Sequence, residues 1–195
     1  MTRGLVRFHG SGQTHCVTFS CFHRMRFLTD SHLCQTLLEV LEHMRKEFRL
    51  CVYGFVVMPE HVHLLLSEPD RATLADFMHS LKLSFSKRVR SQVSSAAPRE
   101  PGAPTVPGTS RAQAPGTFWQ KRYYDRNIRS YSDFVEKLRY IHRNPVKRGL
   151  CARPEDWPWS SFRHYATGEV GVVEIESEWT ARRRATGPWH PTGPG

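Results

Sequence analysis

Two histidines separated by a single residue are the first feature of the sequence that could carry chemistry. His61 and His63 flank Val62 in a segment with strand-like character, and residues i and i+2 of a strand point to the same face. Two imidazoles on one rigid face supply two of the ligands of a transition-metal site. Such a pair also arises by chance, or on a partly exposed strand, in a chain with 11 histidines. The spacing alone leaves both interpretations open.

A tyrosine and an asparagine four residues apart form the second candidate group. Tyr140 and Asn144 lie in a segment with helical periodicity, where residues at this spacing share a face. Phe134, Leu138 and Ile141 recur at the spacing of a buried stripe, and Tyr140 lies beside that stripe. Its hydroxyl therefore either reaches a functional site or is wetted at the boundary of the core.

The segments that must position these residues alternate between strand and helix. The sequence predicts a strand at 15–22 and then a helix that Thr29, Asp30 or Ser31 caps, with apolar residues at helical spacing from Leu33 to Phe48. Strands at 51–57 and 61–66, joined by the turn Met58-Pro59-Glu60, a helix at 73–89, a strand at 120–128 and a helix from Ser132 follow. Pro145 is expected to end that helix near Asn144. This order is the βαββαβ pattern of the ferredoxin-like fold plus one helix. We therefore predict an α+β fold with an antiparallel sheet, whose additional C-terminal helix carries Tyr140.

The length of 195 residues fits one domain with tails. We predict a single domain over 1–180, interrupted at about 91–117 by a Pro/Gly/Ser-rich insertion without periodicity, which is typical of a disordered segment. Residues 181–195 are predicted to be a flexible tail, first basic and then rich in proline and glycine.

The charge of the chain indicates a polyanionic partner. The formal net charge is +10, and residues 121–148 hold nine basic side chains against three acidic ones. Segregated charge of this kind favours nucleic acid over a generally solvated basic surface. The five cysteines are an odd number without a CxxC pair, and no apolar run is long enough to span a membrane. The sequence therefore predicts a cytoplasmic, nucleoid-associated protein without a membrane partner.

Four motifs together resemble a known family. MPEHVHLLL, WQKRYYDRNIR, LRYIHRNPVKRGL and WPWSSFRHY are similar to segments of the single-tyrosine HUH transposases of the IS200-like type, especially the REP-associated tyrosine transposases. The resemblance implies a DNA transposase that cleaves one strand and holds the end as a 5′-phosphotyrosine. It implies that His61 and His63 bind a divalent metal ion, Mg²⁺ or Mn²⁺, that Asn144 is the third ligand, and that Tyr140 is the nucleophile.

The same resemblance implies a folded DNA partner. We expect single-stranded DNA with a hairpin, made by a palindromic repeat, to be bound by a homodimer, with a monomer as the alternative. The predicted DNA contacts combine basic side chains with stacking aromatics: Arg88, Arg90, Lys121, Arg122, Tyr123, Tyr124, Arg126, Arg129, Lys147 and Arg148.

Three questions stay open at this level. Tyr123, Tyr124 or Tyr131 could replace Tyr140 as the nucleophile, although we interpret them as stacking and phosphate contacts. A catalytically silent hairpin-binding protein would keep the same fold and basic surface. A metal hydrolase could use His61, His63 and Glu60 without a covalent intermediate.

Overall fold

A computed structural model describes residues 14–95 and 117–186. Four strands form one antiparallel sheet: β1 (Thr14–Ser20), β2 (Val52–Met58), β3 (His61–Ser67) and β4 (Tyr124–Asn127). Their spatial order is β2-β3-β1-β4, so β3 and β1 lie in the centre. The α+β class, the antiparallel sheet and the strand–helix order predicted from the sequence are confirmed.

Two long helices cover one face of the sheet. α1 (Ser31–Phe48) begins after Asp30, whose carboxylate accepts a hydrogen bond from the His32 N–H and so caps the helix. α2 (Leu74–Ser95) packs beside α1. The main apolar core lies between these helices and the alternate residues Val17, Phe19, Val62, Leu64 and Leu66 of the central strands. We call this side of the sheet the core face.

A third helix lies on the opposite side, which we call the site face. α3 (Tyr131–Lys147) begins after Ser130, whose hydroxyl accepts from the Asp133 N–H. Ile141 is fully buried, and Phe134 and Leu138 pack at the edge of a smaller apolar cluster that also contains Cys16, Val56, Met58, Leu65 and Ile128. The faces of this helix are those that the sequence predicted.

The predicted end of α3 at Asn144 is wrong, because the helix continues through Pro145 to Lys147. Proline removes one backbone donor and disfavours helix in the residue before it. Here it lies in the last turn, where the Arg148 N–H still bonds to the Asn144 carbonyl at 3.0 Å and the Leu150 N–H to the Pro145 carbonyl at 2.9 Å. The buried proline ring also packs against the fold, so little is lost by continuing the helix.

Three other boundaries differ from the prediction by more than about two residues. α2 runs to Ser95, past the predicted start of the insertion at 91; positions 96–116 of that segment lie outside the described residues. The last strand begins at Tyr124 rather than 120, because the chain before it joins β1 only through an isolated bridge between Trp119 and Cys21.

The third difference concerns the predicted tail, whose first residues, 181–186, form the last six residues of α5 (Glu178–Thr186). Arg184 pairs with Glu174 and Glu176, which precede that helix, and this pairing holds the basic run in place. The rest of the predicted tail lies outside the described residues.

The segment between α3 and α5 closes the edge of the sheet. The Val57 N–H donates to the Trp159 carbonyl at 2.8 Å and the Ser161 N–H donates to the Phe55 carbonyl at 3.0 Å, so residues 159–161 run along β2. The short helix α4 (Phe162–Thr167) follows. A covered edge cannot pair with another chain.

Candidate metal and tyrosine site

His61 and His63 both point to the site face, as the strand pattern predicted. They are 4% and 6% exposed, and their Nε2 atoms lie 3.0 Å apart with the rings nearly perpendicular. Two adjacent ligands of an octahedral ion, each at about 2.1 Å from it, would be about 3 Å apart. The pair therefore has the spacing that one shared cation requires.

Side chains behind the two rings fix their orientation. His63 Nδ1 lies 2.7 Å from Thr18 Oγ1 on the neighbouring strand, and His61 Nδ1 lies 3.2 Å from Glu60 Oε1. A carboxylate only accepts hydrogen bonds, so the proton of His61 belongs on Nδ1 and the lone pair of its Nε2 is directed at His63. Arg148 holds Glu60 in turn, with Nη2 at 2.7 Å from Oε1. Partners of this kind orient metal-binding histidines in other proteins.

Burial keeps both imidazoles neutral. It lowers the pKa of His63 to about 3, with smaller contributions from the neighbouring His61 and Arg148. The pKa of His61 is also lowered by burial, against the opposing effect of the Glu60 carboxylate. Neutral imidazole is the form that binds a metal ion, so the pair is available as ligands at neutral pH.

Asn144 completes the cluster from α3. Its side-chain amide nitrogen lies 2.9 Å from His63 Nε2, and the residue is 5% exposed. A half-turn of the amide about its last bond exchanges nitrogen and oxygen and directs the carbonyl oxygen at the same point as the two Nε2 atoms. The donor set of two imidazoles and one amide oxygen fits a hard or borderline divalent ion and leaves further positions open.

Tyr140 lies one helical turn before Asn144 and against the same histidine. The centroid of its ring is 5.4 Å from that of His63, edge to face, and Lys147 Nζ lies 5.7 Å from the tyrosine ring centroid. The residue is 41% exposed, so an incoming strand can reach it. Of the four candidate tyrosines, Tyr140 is the one for which the described structure shows a ring contact with either histidine.

Two contacts hold α3 at this height above the sheet. Gly54 on β2 lets the helix approach, because a Cβ there would lie 2.6 Å from Leu138 Cδ1. His142 Nε2 lies 2.9 Å from Ser161 Oγ, and that hydroxyl also accepts from the Phe55 N–H at 3.0 Å. Burial lowers the pKa of His142 to about 4. The helix that carries Tyr140 and Asn144 is thus tied to β2 by a neutral, buried contact.

The predicted DNA contacts divide between the two faces. On or beside the site face, Tyr124 and Arg126 are paired in register with Thr18 and Cys16 of β1. Lys147 and Arg148 follow Asn144 by three and four residues, at the end of α3. Arg129 is exposed just before α3, and Arg122 is exposed just before β4.

The remaining predicted contacts lie away from the histidines. Arg88 and Arg90 are on α2, across the sheet, and Arg88 pairs with Glu39 of α1. Tyr123 packs against the main core, with Lys82 Nζ 5.5 Å from its ring. Lys121 is exposed, and its carbonyl accepts from the same ammonium.

Several residues of the site were not found by sequence reasoning. Thr18 could be assigned only once the register of β1 against β3 is known, and the contact of His142 with Ser161 joins distant segments. Arg139 and Arg143, by contrast, could have been found from the sequence, because Arg139, Arg143 and Lys147 recur at intervals of four residues on α3. They border an open cavity on the outer surface of α3 together with Tyr131 and Tyr140.

Within residues 14–95 and 117–186 no group of three or more His, Cys, Asp or Glu side chains is placed to hold a metal ion, so a metal at this site depends on the asparagine. None of the helices in those ranges is long and apolar enough to cross a membrane.

Several known proteins are similar to this chain in sequence or in fold. Residues 10–102 match the family model for IS200-like transposases, a stretch that contains both histidines. A solved structure of a REP-associated tyrosine transposase bound to a REP hairpin has a TM-score of 0.65 at 22% identity, and the match covers 90% of this chain and 93% of that one. The likeness confirms the fold. Over residues 10–102 the chain is therefore similar to the IS200-like transposases.

Two proteins with a more specific name are also similar to this chain. A REP-associated tyrosine transposase of Escherichia coli is 26% identical over 136 residues, which are 68% of each chain. A protein of Haemophilus influenzae that bears the same name provisionally is 28% identical over 114 residues, or 58% of this chain, and the match spans only 60% of that relative's length. The resemblance to REP-associated tyrosine transposases predicted from the motifs is confirmed.

Proposed function

We propose that the protein is a DNA transposase that cuts and rejoins single-stranded DNA through a 5′-phosphotyrosine on Tyr140, in transposition or in the processing of repeat elements. The observation that supports this most strongly is the meeting of α3 with β3. One turn of helix brings Tyr140 to the ring of His63 and Asn144 to its Nε2 atom. The names of the relatives support the same class of reaction.

The reaction exchanges one phosphodiester for another. The Tyr140 oxygen attacks the scissile phosphorus and loses its proton to solvent, and the bond from phosphorus to the 3′ oxygen breaks. The 3′ oxygen then takes up a proton. A tyrosyl ester is itself a good leaving group, so a second 3′-OH can reverse the step, and no nucleotide triphosphate is required.

The residues of the site divide the work. His61, His63 and Asn144 would hold Mg²⁺ or Mn²⁺, which when bound polarises the phosphate and stabilises charge on the departing oxygen. Lys147, beside the Tyr140 ring, attracts the phosphate to the nucleophile. Thr18 and Glu60 keep the histidines aligned.

The alternatives fit the geometry less well. A hydrolase that uses Glu60 as its base needs that carboxylate near the open Nε2 side of the histidines. Glu60 instead lies behind His61, engaged by Nδ1 and by Arg148. A catalytically silent binding protein would not require His61, His63, Asn144 and Tyr140 to lie together.

The metal assignment is tested by binding as well as by cleavage. His61→Ala with His63→Ala should abolish the binding of Mn²⁺ measured by calorimetry, and with it metal-dependent nicking, because two of three ligands are gone. His32→Ala with His43→Ala, two exposed histidines of α1, is the matched control and should bind Mn²⁺ normally. Equal Mn²⁺ affinity in both double variants would refute the site.

The proposed substrate is single-stranded DNA with a hairpin. The exposed bases of a single strand can stack on Tyr124 and Tyr131, which are 54% and 83% exposed. We expect a hairpin with a single-stranded extension to compete about tenfold better than a blunt duplex of equal length, and its affinity to fall steeply with salt. Equal competition by the duplex would refute this choice of substrate. The homodimer stays a prediction.

A further inference from the structure

A basic pocket lies directly beside the histidine pair, and two of its arginines, Arg24 and Arg26, have no role in the reaction described above. Its cavity of about 520 Å³ is lined by Arg24, Arg26, Pro59, Glu60, Arg148 and Leu150. Three arginines and one largely buried carboxylate thus line the same cavity. We call this cavity the arginine pocket.

The loop that supplies Arg24 and Arg26 is fixed against the turn that begins β3. The Cys21 N–H donates to the Glu60 carbonyl and the Leu28 N–H to the Pro59 carbonyl, each at 2.9 Å. The loop is therefore clasped at both ends to the two residues that precede His61. Internal hydrogen bonds, such as Arg24 N–H to the Cys21 carbonyl at 2.9 Å, hold its shape between the clasps.

The backbone of this loop is strained where it presents its first arginine. His23 and Arg24 have φ values of +50° and +55°, in the left-handed region. Each non-glycine residue held there costs roughly 1–2 kcal/mol. Such strain is retained where the surrounding structure enforces it, and it commonly occurs at ligand-binding positions. It directs Arg24 into the pocket.

The charges of the pocket do not balance. Arg148 is bonded to Glu60 at 2.7 Å, whereas Arg24 and Arg26 are exposed and form no ion pair within the described part of the chain. Glu60 neutralises one of the three cations, which leaves two guanidinium groups for an external anion. Planar, fixed guanidinium groups are suited to bidentate contacts with phosphate oxygens.

We propose that the arginine pocket binds a backbone phosphate of the DNA strand next to the scissile phosphate, through Arg24 and Arg26. The proposal rests on the proposed function, since it names a subsite for the same strand. The Pro59-Glu60 turn belongs both to the pocket wall and to the support of His61. A phosphate held there is therefore placed at a fixed distance from the histidine pair, which sets which bond of the strand reaches Tyr140.

The test measures binding of labelled DNA in EDTA, so that it does not depend on cleavage. In a hairpin with a single-stranded extension, each phosphate of the extension is replaced in turn by an uncharged methylphosphonate. Arg24→Gln with Arg26→Gln is compared with the native protein. Arg24→Lys with Arg26→Lys keeps the charges but loses the planar fork. The matched control is Arg71→Gln with Arg182→Gln, two exposed arginines remote from the Pro59-Glu60 turn.

One linkage is expected to behave differently from the rest. Neutralising it should weaken binding by the native protein and the control about five- to tenfold. The same neutralisation should not weaken binding further in the glutamine variant. For that variant, the slope of log affinity against log salt concentration should be shallower by about 0.7 for each lost contact. The lysine variant should restore the salt slope but only part of the affinity.

Two outcomes would overturn the proposal. One is a glutamine variant that stays as sensitive as the native protein at every linkage. The other is a glutamine variant that binds every DNA as the native protein does and has lost only the ability to bind inorganic phosphate. The result is independent of the 5′-phosphotyrosine, because loss of that adduct with an intact linkage effect would refute the proposed chemistry and leave the subsite standing.

Discussion

Neighbouring residues of β3 serve different purposes on the two faces of the sheet. Val62, Leu64 and Leu66 point to the core face and are 0–1% exposed within the main apolar cluster. His61 and His63 point to the site face, where the apolar cluster is smaller. The core face stabilises the fold by burying apolar side chains. The site face has a smaller apolar cluster and carries polar groups that point to one position. Stability and function should therefore respond to mutation on different faces.

The largest effect on stability is expected on the core face. Phe85 of α2 is fully buried and contacts Phe118 and Trp119, so Phe85→Ala should lower the free energy of unfolding by about 3–5 kcal/mol, through lost burial and the cavity left behind. Urea denaturation measures this change. Leu83→Ala on the same helix, 39% exposed, should cost less than about 0.5 kcal/mol. If both variants lost a similar free energy of unfolding, burial on the core face would not explain the stability of the protein.

An intermediate effect is expected where the site face is tied to the sheet. Ser161→Ala leaves His142 Nε2 and the Phe55 N–H without their shared partner, which should cost about 1–3 kcal/mol. Because that contact also holds α3, cleavage should fall more than DNA binding does. Thr167→Ala, exposed on the adjoining helix α4, is the control. If Ser161→Ala reduces both activities equally, the hydroxyl supports the fold without positioning the helix.

The same division explains what the sequence could predict. Helix and strand patterns depend on local spacing, so the order of elements, the turn at Pro59 and the shared face of Tyr140 and Asn144 followed from the residues themselves. The prediction failed at Pro145. The rule that a helix ends before proline did not apply, because Pro145 lies in the last turn of α3. Edge pairing and tail boundaries depend on contacts that one segment does not contain.

Contacts between distant segments were not predictable in the same way. Thr18 supports His63 only because β1 pairs with β3 in one particular register. Ser161 belongs to the motif WPWSSFRHY, but nothing in that motif indicates that it contacts His142. The charge pattern identified a basic chain but not a face. It favoured Arg88 and Arg90, which α2 places across the sheet from the histidines, and passed over Arg139 and Arg143 on the outer surface of α3.

The most direct test concerns a single oxygen atom on the site face. Tyr140→Phe keeps the ring that contacts His63 and should change the free energy of unfolding by less than about 0.5 kcal/mol, as a substitution at a partly exposed position. DNA binding should survive. With Mn²⁺ and a labelled hairpin, the native protein should retain label after denaturation, joined to the 5′ side of the break, and Tyr140→Phe should retain none. Label that persists in Tyr140→Phe, or that is lost only when Tyr123, Tyr124 or Tyr131 is changed, would contradict the assignment of the nucleophile.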